Sequence, residues 1–389
     1  MKAGVHSRFA WTCAELHTVE ETFMALVHRD SFPRLGASVL AASLALGAMS
    51  ANATEIKVTT GVDAEHYAGG CTLRDAIENA TSRDQSGSAA CVGGTGDDII
   101  LFGGVSAITL DPMLGEIEIG EDVRLQIHGG NVELNGGLAT RIFRINGANT
   151  KVYMIDVAFR DANGSSGGRG GAIYVDGAKL VDLIGVRFER NIAIDGGALA
   201  VDGSGTTLRV LEGRFSGNRA TGNENGDLGF GGALDIRGIV DALVVNSDFS
   251  FNEARSGGAV YCESSNEKTT VTFNGGVNGK DLGSFEGNTA WAPNADIYGP
   301  NGGGAILSRC PIDVSHQRFI RNVALGKGGA IYHSGAGRKA RVATSVFREN
   351  KFLEAGGLEG NALGGAIAIE TGGMEIMASS FTANIAKRG

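Results

Sequence analysis

The sequence predicts an all-β fold: a right-handed, single-stranded parallel β-helix (a solenoid) preceded by a short helix-containing N-terminal cap. Three observations predict it. Glycine is abundant, 62 of 389 residues against only 5 prolines, which points to many tight turns rather than a disordered linker. Two short motifs recur in strict alternation. The residues after each copy of the second motif alternate with period 2, as in a strand with one apolar face.

The first motif, Phe-x-x-Asn, stands at Phe188/Asn191, Phe215/Asn218, Phe249/Asn252, Phe285/Asn288, Phe319/Asn322, Phe347/Asn350 and Phe381/Asn384. The second, Gly-Gly-Ala followed by Ile, Leu or Val, begins at residues 170, 196, 231, 257, 303, 328 and 364. Nearest copies lie 25 or 26 residues apart, the length of one short solenoid coil. After Gly-Gly-Ala, pairs such as Ile173/Val175, Leu199/Val201, Leu234/Ile236 and Ile367/Ile369 point inward, while Tyr174, Asp235 and Ala368 point outward.

A second strand precedes each Phe. Five residues upstream stand Met154 (before Phe159), Leu183, Val210, Val244, Val314, Val342 and Ile376. An odd offset breaks the alternation, so a corner is expected between strand and Phe. The Phe285 coil is the exception, with Asn278 and Lys280 in the apolar slots. Stacked about 4.8 Å apart, such coils would pile Phe on Phe. They would align the Asn side chains in a ladder that satisfies neighbouring backbone groups. The glycine pairs would supply a positive-φ turn and a close backbone approach.

The N-terminus reads as an export signal. Arg34 precedes the apolar run 35–49, and Ala51-Asn52-Ala53 offers a cleavage site after Ala53. With Met24 as the start, 24–53 has the length of an ordinary signal peptide. The run is short for a membrane span, and no second one follows. The expected organisation is a signal region at 1–53, a cap at 54–111 and repeats over 112–389. Without Cys13, four cysteines remain, an even number that favours disulfides in an exported chain. Cys71 and Cys91 flank one short segment. Cys262 and Cys310 lie on neighbouring coils with an offset of two residues. Neither spacing suits zinc, and no metal site is expected. In the cap, Thr72 and Asp75 resemble a capping box, and Leu73, Ala76, Ile77 and Ala80 share one helical face. Asp97-Asp98 reads as a turn before a strand.

The alternating Phe-x-x-Asn and Gly-Gly-Ala-Ile repeats over residues 159–389 resemble those of the polymorphic outer-membrane proteins, bacterial surface proteins with a β-helical passenger. Cys71-Thr72-Leu73-Arg74-Asp75-Ala76-Ile77, with Cys91 and the strand Asp98-Ile99-Ile100-Leu101-Phe102, is similar to the CSLREA-type N-terminal domain of exported β-helix proteins. The resemblance implies an exported protein, extracellular or at the cell surface, in the outer membrane or periplasm, often with an adhesive or undefined role; it does not imply a catalytic site. Polymorphic outer-membrane proteins end in a membrane barrel. This sequence ends just after Asn384, which leads us to expect a capping partner at that end.

Candidate binding residues come from two places. The stretch between Asn and the next Gly-Gly alternates between short and long, and the long ones, 219–230, 289–302 and 351–363, should share one edge. They carry Phe230, Trp291, Tyr298 and Phe352, rings able to stack on a sugar. The outer face after Gly-Gly-Ala adds Tyr174, Asp235, Tyr261 and Tyr332. Cys262, Ser308 and His333 occupy one inward slot on successive coils, which suits an interior stack better than a nucleophile.

With a net charge of −9, nucleic acid is not an expected partner. Polysaccharide or host-surface molecules are. The leading expectation is an adhesin-like surface protein that needs no cofactor. The alternatives are a polysaccharide lyase or glycoside hydrolase acting on acidic glycans, with Ca²⁺ involved only in that case, and a truncated passenger with a purely structural role. Against catalysis, Asp235 has no acidic counterpart at its slot on neighbouring coils, and Arg169 and Lys327 look scattered.

Overall fold

The computed structural model describes residues 53–387 except 121, 224–228, 265–268, 277–281, 292–301 and 354–363. The expected signal segment up to residue 52, and Tyr298, Asn278 and Lys280, lie outside the described residues. The chain forms a parallel β-helix. Strands of successive coils pair in parallel, residue for residue at the motif positions: Phe188 pairs with Phe215, Phe215 with Phe249 and Phe249 with Phe285. A second, seven-stranded sheet is built from the two or three residues that follow each ladder Asn.

The apolar slots stack as their spacing requires. Phe159, Phe188, Phe215, Phe249, Phe285, Phe319, Phe347 and Phe381 form one column of near-parallel rings with centroids 4.6–4.8 Å apart. Burying one such side chain stabilises by about 1.5–3 kcal/mol. Beside it runs the Asn ladder. Asn252 donates from its backbone N–H and from Nδ2 to Asn288 Oδ1 on the next coil, both at 3.0 Å, and from Nδ2 to the Phe215 carbonyl on the preceding coil. The first glycine of each pair has φ between 59 and 70°. The second is pressed against the next coil: a Cβ on Gly232 would lie 2.1 Å from the Gly258 carbonyl oxygen.

Except in the Phe285 coil, the corner before each Phe of the column is a left-handed residue three positions upstream: Asp156, Gly185, Glu212, Asn246, His316, Thr344 and Ala378, with φ of 45–63°. This turn accounts for the odd offset. In the Phe285 coil the expectation is corrected. The apolar slots are filled by Val271 and Phe273, in register with Ala242 and Val244, and not by Asn278 and Lys280. Inward side chains set the register, so the apolar residues of this coil take the slots whatever its length. Phe273 packs edge-on against Phe285 with centroids 5.5 Å apart.

In the cap, helix α1 (Leu73–Ser82) is capped by Thr72 Oγ1, which accepts from the Asp75 N–H at 3.0 Å. Asp75 does not reach back to complete a capping box. Its carboxylate accepts instead from the backbone N–H groups of His66 and Tyr67. Leu73, Ala76, Ile77 and Ala80 are all buried, and the helix packs against the strands Thr54–Val58, Asp97–Phe102 and Ile117–Ile119. Arg74 ties it to Asp63 and to the carbonyls of Gly115 and Glu116. Cys71 and Cys91 are bonded, with Cα atoms 4.7 Å apart. Asp98 closes the turn before its strand by accepting from the Thr95 and Gly96 N–H groups. Among the described residues, no helix is long and apolar enough to cross a membrane.

Candidate functional site

The three long insertions leave one edge of the solenoid. Each follows a strand of the seven-stranded sheet: Arg219–Ala220, Thr289–Ala290 and Lys351–Leu353. Between them in the stack lie Glu253–Ala254 and Val323–Ala324, whose coils carry the short turns. The insertions therefore recur every second coil, about 10 Å apart.

Their aromatic residues have different fates. Trp291 stays half-buried at the base of its loop, with the Arg219 guanidinium 5.7 Å from the ring centroid, so the bases of two insertions touch across two coils. Its indole N–H is enclosed without a hydrogen-bond partner. Phe352 is buried between Ala324 and Ala386 of the adjacent coils. Phe230 folds back and stacks on Tyr261, centroids 4.3 Å apart.

The expected open stripe of Tyr174, Asp235, Tyr261 and Tyr332 is not open. Asp235 and Tyr332 have no exposed surface, and Tyr261 almost none. Tyr261, Leu307, Tyr332 and Ala368 form an apolar cluster on the outer side of the strands, with Phe230 packed against it. Only Tyr174 remains half-buried, its hydroxyl donating to Asp202 Oδ2 at 3.2 Å. Tyr332 bonds Glu370 through its hydroxyl, and Lys327 lies over its ring.

Asp235 and Arg169 are neither isolated nor scattered. Arg169 donates through Nε and Nη2 to Asp235 Oδ2 at 2.9 and 2.7 Å, and its Nη1 meets Asp202. Arg237 donates from Nε to Asp235 Oδ1 at 3.1 Å and from Nη2 to Asp195 Oδ2 at 2.7 Å. Asp195 Oδ1 then accepts from the Phe230 N–H at 2.8 Å, which fixes the returning end of the first insertion. Arg237 also lies over the rings of Phe230 and Tyr261. The partners stand 33, 42 and 66 residues apart in sequence. Aligning the coils on Gly-Gly would have exposed the pattern. Arg169 and Asp195 both immediately precede a pair, and Asp202 and Arg237 both lie six residues after its first glycine.

Burial pushes the Asp235 carboxyl up to about 6, against the pull of both arginines. Burial alone would lower the Arg237 guanidinium, but Asp235 and Asp195 outweigh it and hold it above its ordinary value. At neutral pH Asp235, Arg169 and Arg237 are therefore charged. A carboxyl raised in the folded state contributes stability that is complete below its unfolded pKa near 4 and is lost as pH rises through about 6. The expected result is that the stability of the wild type relative to Asp235→Asn falls as pH rises from 4 to 7. The fall is on the order of 3 kcal/mol at most, measured by denaturant unfolding at each pH. A slope of the opposite sign would mean that the arginines outweigh burial.

The inward Cys-Ser-His row is closed to substrate. Cys262 and Cys310 are bonded, with Cα atoms 5.8 Å apart. Ser308 donates to the Cys310 carbonyl at 2.7 Å, and His333 is buried, its pKa lowered mainly by burial. Among the described residues, no group of three or more His, Cys, Asp or Glu is placed to hold a metal ion.

Residues 318–334 match the Chlamydia polymorphic membrane protein repeat. The matched stretch runs through one Phe-x-x-Asn turn, Phe319 to Asn322, and into the strand after Gly328-Gly329-Ala330. A repeat of that kind suggests a bacterial outer-membrane or surface protein of the autotransporter-like kind. Comparison with curated proteins found no match, and comparison with solved structures found none either.

Proposed function

We propose that this chain is an adhesin-like surface solenoid that binds glycan or host-surface molecules along the edge from which its three long insertions emerge. The observation that carries this reading is the regular exit of those insertions from one small sheet at every second coil, with Trp291 and Arg219 bridging the bases of the first two. A β-helix supplies a rigid, extended support, and periodic loops on one edge supply repeated contacts of the kind a polymeric ligand can use. Trp291 offers a broad apolar face beside a cation, which suits a sugar ring carrying an acidic group.

The Asp235 cluster is the best argument for catalysis, and its geometry argues against it. The carboxylate is fully buried, and three charged hydrogen bonds already occupy its oxygens. With no exposed surface, neither oxygen can be reached by a substrate proton. The cluster is better suited to pinning the first insertion to the solenoid.

The test is binding of the purified protein to an array of neutral and acidic glycans. Trp291→Ala is expected to weaken the strongest interaction roughly tenfold while leaving thermal unfolding unchanged. Glycan binding unaffected by that substitution, or sustained release of unsaturated sugar ends, would overturn this assignment.

A further inference from the structure

The residue just before each ladder Asn is left-handed in every coil: Arg190, Gly217, Phe251, Gly287, Arg321, Glu349 and Ala383, with φ from 53 to 63°. A bulky aromatic is poorly suited to this conformation, because its Cβ crowds the following carbonyl. Phe251 nevertheless adopts it at φ 55° and is 66 % exposed. It takes no part in the core clusters, so core packing does not compensate for the strain. Such an outlier is a reason to look for function.

Both neighbours of Phe251 at this slot are glycines. A Cβ on Gly287 would lie 2.8 Å from Phe251 Cε1 and 2.9 Å from Cδ1, so the ring leans over bare backbone. On the other side, a Cβ on Gly217 would meet only Arg190 Cγ, at 3.8 Å, which leaves a notch one coil wide. The hydroxyls of Ser216 and Ser250 lie on the same outer strip, 3.2 Å apart. The charges that bound the strip are already paired. Arg190 forms two hydrogen bonds with Asp161, at 2.8 and 2.7 Å, and Arg321 pairs with Glu286.

A protein partner anchored here would find one ring and no surrounding apolar patch. A neutral pyranose fits better. Its C–H face can stack on the ring, its hydroxyls can reach Ser216 and Ser250, and it brings no charge that needs a partner. We infer that Phe251 and the notch over Gly217 form a subsite for a neutral pyranose unit of an extended glycan. The inference rests on the glycan-binding reading above for its ligand class, but not on the insertions.

The experiment is calorimetric titration of the purified protein with cellohexaose and chitohexaose. Phe251→Gly removes the ring and the left-handed strain together. Tm should hold or rise while affinity falls roughly tenfold or more. Gly217→Arg fills the notch with the residue that the coils at 190 and 321 already carry at φ 56 and 54°, so the fold is kept and binding is lost although Phe251 is intact. Wild-type affinity in both variants, or a lowered Tm in Phe251→Gly, would overturn the inference. So would failure of the wild type to bind either oligosaccharide. Polygalacturonate binding that depends on Trp291 would then leave the proposed function standing without this subsite.

Discussion

Gly258→Ala is expected to lower stability by about 4 kcal/mol or more, the range reached only when something structural is broken. The added Cβ would sit 2.1 Å from the Gly304 carbonyl oxygen and 2.7 Å from the backbone of Thr289. Both obstacles are main chain held in the stack, so no side chain can move aside. The same clash recurs at Gly171, Gly197, Gly304 and Gly329, each within 2.2 Å of the carbonyl of the equivalent glycine one coil on. Gly177→Ala is the control. Unlike Gly258 it has positive φ, 77°, but open space around its Cβ, so only a conformational penalty of roughly 1 kcal/mol is expected. Denaturant unfolding followed by far-ultraviolet circular dichroism would separate the two. In a solenoid each coil leans on its neighbours, so the Gly258→Ala damage should show as early melting of part of the signal. Equal, mild effects of the two substitutions would refute close backbone approach as the role of the second glycine.

Asn288→Ala is expected to cost about 2–6 kcal/mol, by stranding two buried backbone groups. Asn288 Nδ2 donates to the Phe249 carbonyl at 2.9 Å, and its Oδ1 accepts from the Asn252 N–H at 3.0 Å. Without the amide, neither group has water to turn to, because the ladder has no exposed surface here. Asn288→Asp tests the mechanism more sharply. It keeps the acceptor but loses the donor, and at neutral pH sets a carboxylate against the Phe249 carbonyl and Asn322 Oδ1. It should therefore be less stable than Asn288→Ala at pH 7 and recover as acid supplies a proton. An Asp variant as stable as the wild type at pH 7 would show that the ladder donor is dispensable.

The sequence by itself determined the repeating part of this protein. Phe, Asn and Gly-Gly each meet the same environment in every coil, so one physical demand is written seven times and can be read from spacing alone. The ring column, the amide ladder and the tight glycine all lie where their period places them. Features that do not repeat were decided by the tertiary structure. The corner residues Asp156, Glu212, Asn246, His316, Thr344 and Ala378 are left-handed without being glycine, because stacking against identical corners imposes a conformation that their chemistry does not announce. Phe273 displaced the expected slot residues because inward apolar packing sets the register, while the length of the insertion does not. Above all, the Arg169–Asp235–Arg237–Asp195 network and the burial of Tyr261 under Phe230 depend on contacts between coils. A coil brings together residues that are tens of positions apart, and such ion pairs show in the chain only once the coils are aligned on their Gly-Gly pairs. The same separation explains why Phe251 is an ordinary residue in the sequence. It becomes an exposed ring between two bare glycines only once the coils are stacked.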